Sequence, residues 1–235
     1  ENKIRDYDDA QLWSARGYLP PPPLDQWIYN ELTDPAQELL KWWGKAYETL
    51  GASTSSDIDL TLNSIRLTGR VENVWAQGLR RIRPGQWSMK HVLPEWVDYL
   101  AWTAQGNEGV MELAGRQDPK KPDIFKIDVF EVSDPEVARK LLQRLCVIYH
   151  KGMRQPMCFM PGLAEEYLKK LKRQGNISVT DFFATLNKDD WDLNDPSFQL
   201  HFPLNDSACK DFGEFAHDIC ELVIEKRKKI GIDIL

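Results

Sequence analysis

The sequence predicts an α/β domain of the α+β type, a mixed sheet flanked by helices, and three observations carry that reading. Between Asp57 and Arg83 apolar and polar residues alternate with a period of two, interrupted twice by turn residues, as in consecutive antiparallel strands. On either side of this block apolar residues recur at three- and four-residue spacing, the pattern of amphipathic helices. A hydrophobic share of 42% with nine tryptophans in 235 residues supplies enough apolar surface for a sizeable core.

Taken in order, the chain opens with a polar stretch and a four-proline run, Pro20 to Pro23, which favours extended polyproline geometry. Residues 1–23 are therefore expected to form an extended arm, and residues 24–235 the compact body. From Leu24 to Leu50 two helices are expected, the second with Pro35 in its first turn and Gly51 as its stop. After a small polar loop, Ala52 to Ser56, the strand pattern begins. Ile58, Leu60 and Leu62 alternate with polar residues, Asn63-Ser64 turns the chain, and Ile65, Leu67 and Val71 follow. Gln77-Gly78 provides a second turn, and Leu79 to Arg83 a third strand that ends at Pro84-Gly85. A helix carrying Val92, Trp96, Val97, Leu100 and Ala101 comes next, then strands at Val110 to Ala114 and Ile124 to Phe130 around an Asp118-Pro119 loop. Ser133-Asp-Pro-Glu136 has the form of a capping box, opening a helix with Val137, Leu141, Leu142, Leu145 and Ile148 on one face. The apolar segment Met157 to Met160 stops at Pro161, before a basic helix around Tyr167 to Leu171. A long final helix is expected from Asp206 or Ser207, with Phe212, Phe215, Ile219, Leu222 and Val223 inward and the cations Lys226 to Lys229 solvated at its carboxyl end.

Composition narrows the function classes. Thirty basic against thirty-six acidic side chains give a formal charge of -6, so contact with a phosphate backbone has to be local. Cys146, Cys158, Cys209 and Cys220 form no CxxC pair and read as reduced core residues, and the four histidines are equally scattered, so neither metal nor cofactor is implied. No apolar run approaches the ~20 residues of a membrane helix, no signal-peptide pattern opens the chain, and a cytoplasmic protein is expected. Walker, GxSxG and HExxH motifs are missing, as is any internal repeat.

A helix, three strands, a second helix across them and further strands is the order of a restriction-endonuclease-like fold. Such a fold needs an acid near the end of its second strand and an acid-x-Lys pair on the third. Residues i and i+2 of a strand share a face, so the acid and the lysine reach one pocket, where carboxylates hold Mg²⁺ and the amine orients the attacking water. Here Glu72 stands near the first position, but the third strand puts Arg81 and Arg83 at the other two. Between Asn73 and Pro94 there is no Asp or Glu. A guanidinium stays protonated and repels a divalent cation, so this hairpin is expected to be catalytically degenerate.

Three tracts then resemble the carboxyl-terminal domain of the RecC family, the gamma subunits of exodeoxyribonuclease V. They are Asp57-Ile-Asp-Leu-Thr-Leu-Asn-Ser-Ile-Arg-Leu-Thr-Gly-Arg-Val71, Trp96-Val-Asp-Tyr-Leu-Ala-Trp-Thr-Ala-Gln-Gly106 and Tyr149-His-Lys-Gly-Met-Arg-Gln-Pro-Met-Cys-Phe-Met-Pro161, with a weaker match at Phe198-Gln-Leu-His-Phe202. The resemblance implies a nuclease-like fold without nuclease activity, docked on the RecB helicase-nuclease and near RecD. It also implies work in assembly and in guiding unwound DNA during double-strand-break repair and recombination.

Three readings follow. In a scaffold and strand-guiding domain, Arg66, Arg70, Arg80, Arg81 and Arg83 offer a local basic surface to DNA phosphates or to a partner's acids, or else solvate a sheet edge. Trp75 and Trp87 are either core residues or platforms for bases. In an active Mg²⁺-dependent nuclease the missing ligands are relocated to acids such as Glu95 or Asp98. In a pure protein-interaction module DNA is not touched at all.

Overall fold

The computed structural model describes residues 9–48, 51–118, 121–186 and 206–230. Leu50, Pro119 and the Phe198 to Phe202 tract with His201 lie outside them, as does the side chain of Cys209. Six strands form one mixed sheet in chain order: β1 (Thr54–Leu62), β2 (Ile65–Trp75), β3 (Gly78–Arg83), β4 (Val110–Asp118), β5 (Lys121–Glu131) and β6 (Arg227–Ile230). All neighbours are antiparallel except β3 and β4, which run parallel because α3 (Met89–Ala104) carries the chain back between them.

Alternation along the strands assigns the two faces. Ile58, Leu60, Leu62, Val71, Val74, Leu79, Met111, Leu113 and Phe130 point to one side, into the main core. There they meet Val92, Trp96, Tyr99 and Leu100 of α3, Ala138 and Leu142 of α4 (Pro135–Gly152), and Leu163, Ala164 and Tyr167 of α5 (Pro161–Gln174). Phe182 and Phe183 of α6 (Val179–Ala184) and Phe212 of α7 (Asp206–Phe215) close this core as an aromatic cluster with Tyr167. Burial of such side chains stabilises by about 1.5–3 kcal/mol each, so this side dominates the folding energy. On the other face Leu39 and Trp42 of α2 (Leu24–Tyr47) cover Ala114, Phe125 and Ile127, with the Trp42 and Phe125 rings 5.4 Å apart.

The hairpin expectations hold: Asn63 takes the positive φ of 55° that its turn demands, and the β2–β3 connection consists of Ala76 and Gln77. A register shift between Thr54 and Ser56 bulges β2 at Glu72 and Asn73, the latter with φ of 54°. The α3 helix, the β4–β5 hairpin and α4 also follow the sequence. Asp134 caps α4 by accepting from the Glu136 amide, with Pro135 in the first turn, although Val137 faces solvent.

Four expectations are corrected. The proline run is not an extended arm: α1 (Asp9–Ala15) precedes it, and Pro21 to Pro23 make the bend and turn into α2, where Trp13 packs edge-on against Tyr29. Leu24 to Tyr47 is one helix with Pro35 inside it, because packing of its second half on the sheet outweighs the local break. The final helix is interrupted by a π-helical turn, Ala216–Glu221, which brings Ala216, Cys220 and Val223 inward and leaves Ile219 and Leu222 half-buried. Finally, the cation run does not finish a helix: α8 (Leu222–Lys226) ends at Lys226, and Arg227 turns to extended geometry to start β6 beside Phe130.

Candidate functional site

The positions that would bear a nuclease centre lie where β2, β3 and α3 meet. Leu79 enters the main core beneath α3, and the side chains two and four residues on, Arg81 and Arg83, also meet residues of that helix. Arg81 donates from Nε to Glu95 Oε2 at 2.6 Å, and its Nη2 lies 3.6 Å from Asp98 Oδ2. Its Nη1 donates to the Asn73 and Arg80 carbonyls, each at 3.1 Å. The guanidinium is therefore enclosed, with its side chain 12% exposed, between the two helical acids that a relocated metal site would have recruited. Burial and the neighbouring Glu95 charge hold the Asp98 carboxyl above its usual range, although the Arg81 charge acts the other way. Residues of this kind do not fit Mg²⁺: a fixed positive charge stands among the carboxylates. Among the described residues no group of three or more His, Cys, Asp or Glu is arranged to hold a metal.

Glu72 stands on the β2 bulge with an exposed side chain, and its charge acts on Arg70. Arg66 and Arg70 lie on the open face of the β1–β2 hairpin, where Arg66 chelates Asp59 through Nε and Nη2 at 2.9 and 2.8 Å and Arg70 binds Asp57 at 2.7 Å. Both acids are held below their usual range by these guanidinium groups. Arg80 is elsewhere: only 5% exposed, on the opposite face of β3 from Arg81, it donates to Glu112 on the adjacent strand at 2.8 Å and covers the Trp75 ring at 5.9 Å. The five arginines thus do not form one basic surface. Strand alternation divides them, and four of them meet carboxylates. Trp87 is buried, its indole N–H donating to the Ala114 carbonyl at 2.8 Å.

A second charged constellation, not anticipated from the sequence, is buried at β5 and β6. Asp128, fully buried, accepts from Lys126 Nζ at 2.9 Å and from Arg227 Nη2 at 2.5 Å. Arg227 Nη1 reaches Glu165 at 3.3 Å, and Glu165 also pairs with Lys169 at 2.7 Å. Lys126 and Asp128 are an i, i+2 pair on one face of a strand, but here two cations neutralise one carboxylate. The network fastens β6 and α5 to the sheet. A Lys-x-Asp doublet in an apolar strand was its available signal, and the partners from residues 165 and 227 were not legible.

Residues 3–172 match the model of the RecC C-terminal domain family, more than half of the chain, and the chain belongs to that family. It is similar to the RecBCD enzyme subunit RecC of Escherichia coli (strain K12), with 29% identity over 134 residues. That stretch is 57% of this chain but 11% of the relative, so the chain corresponds to a small part of that subunit's length.

Proposed function

We propose that this chain is a non-catalytic domain of restriction-endonuclease-like ancestry that serves, within a RecC subunit of a RecBCD-type exodeoxyribonuclease V, in assembly with RecB and RecD and in guiding unwound DNA. The order of a helix, three antiparallel strands, a crossing helix and a parallel return strand supports the ancestry. One observation carries the loss of chemistry: the Arg81 guanidinium sits between Glu95 and Asp98, where a nuclease needs a cation-binding carboxylate. The alternative, a Mg²⁺-dependent nuclease with relocated ligands, needs the same two acids and finds them engaged. Contact with DNA or a partner then falls to Arg66 and Arg70 on the open hairpin face and to Arg83, whereas Arg80 is committed to Glu112. In this reading the assembly works in the cytoplasm.

The test is direct. The purified chain, incubated with end-labelled single-stranded DNA and Mg²⁺ or Mn²⁺, leaves the DNA intact, and it co-purifies with RecB and RecD when the three are expressed together. Cleavage that disappears in Glu72→Ala refutes the non-catalytic reading, and failure to co-purify refutes the assembly role.

A further inference from the structure

Beside the closed site lies a surface cavity of about 450 Å³, lined by Ile82, Arg83, Pro84, Trp87, Lys90, His91, Pro94 and Glu95. Its lining is half apolar and half polar, and its charged groups are two cations and one carboxylate. Arg83 and Lys90 make no ion pair among the described residues, in contrast to Arg66, Arg70, Arg80 and Arg81. Arg83 Nε is buried without a hydrogen-bond partner among the described residues. Glu95, the one acid in the lining, is bound to Arg81. His91 turns Nδ1 to the Ser88 hydroxyl at 2.8 Å, and the burial of its ring together with the Arg83 and Lys90 charges keeps its imidazole below the ordinary value of 6.5.

Two cations without an ion pair among the described residues and a histidine converge on a concave surface, in a chain of net charge -6, a local surplus that a bound anion would relieve. The apolar edges of Ile82, Pro84 and Pro94 beside them suit the sugar and base that accompany a backbone phosphate, and the volume falls in the range of small-ligand sites, ~300–1,000 Å³. An acidic protein segment would use the cations but not these walls. We propose that Arg83, Lys90 and His91 form a binding site for a phosphodiester of single-stranded DNA, next to the position where a nuclease would bind its metal. The site replaces cleavage by capture: the strand is held by side-chain cations and no water is activated. It rests on the reading that the chain works beside DNA, and it names the place of contact.

The His91 imidazole provides the readout. In the full chain, its resonances are assigned by comparison with His91→Gln and titrated by NMR alone, with inorganic phosphate, with a short oligothymidylate, and with polyglutamate. Oligothymidylate is expected to move the His91 midpoint upward toward or past 6.5, with phosphate doing so more weakly and polyglutamate leaving it in place. Lys90→Ala, a change at an exposed side chain, is expected to lower the slope of log affinity against log salt by about one, and Arg83→Gln to weaken binding as well. A His91 midpoint unmoved by oligothymidylate, or moved more by polyglutamate, overturns the site. Cleavage of the oligomer would instead overturn the non-catalytic reading, so the two failures are told apart.

Discussion

Replacement of Arg81 by alanine tests the claim that a guanidinium fills the space between Glu95 and Asp98. The change deletes a 2.6 Å charge-assisted bond to Glu95, a looser contact with Asp98 and two 3.1 Å bonds to main-chain carbonyls. Breaking a buried ion pair from one side costs about 3–5 kcal/mol, because the surviving charge is left without compensation. The Glu95 side chain is 23% and the Asp98 side chain 45% exposed, so water recovers part of that loss. A destabilisation of about 2–4 kcal/mol follows after this discount. In a chain of this size that lowers Tm by roughly 4–16 °C, at about 2–4 °C per kcal/mol. Urea denaturation with a double-mutant cycle against Glu95→Gln isolates the pairwise part, expected at about 1.5–3 kcal/mol. A loss under about 0.5 kcal/mol, the level of an ordinary surface substitution, would mean that Arg81 points to solvent and that this space is open.

Two further outcomes are expected. Arg227→Ala, which strips Asp128 and Glu165 of a shared partner, should destabilise by about 3–5 kcal/mol, whereas Arg227→Met with Asp128→Leu and Lys126→Met should recover much of that loss in the same urea assay. Gly78→Ala should prevent stable folding, as judged by circular dichroism and soluble yield: at φ of 130° a Cβ would fall 1.9 Å from the Val110 carbonyl oxygen, where β3 pairs with β4.

Alternation of Ile58, Leu60 and Leu62, and of Ile65, Leu67 and Val71, was enough to place the first hairpin and its buried side, since a period of two leaves no other face for the core. The absence of acids between Asn73 and Pro94 was likewise legible, because no folding can add a carboxylate to a strand that encodes none. What the chain could not announce was the fate of its charges. Arg80 and Arg81 are neighbours in sequence, yet adjacent strand residues point to opposite faces, so one meets Glu112 across the sheet and the other meets Glu95 and Asp98 from a helix.

The same reasoning explains the misread carboxyl-terminal cations. Four consecutive basic residues suit a solvated helix end by every local criterion, and only the buried carboxylates of Asp128 and Glu165, contributed by distant segments, draw Arg227 into an extended strand. Sequence alone determined the central strands and helices, the main core and the absence of an acid-x-Lys pair from the third strand. Tertiary structure decided which cations are buried, which are paired and which, among the described residues, stand around His91 without an ion pair, because a charge is settled by the partner it meets across space rather than by its neighbours along the chain.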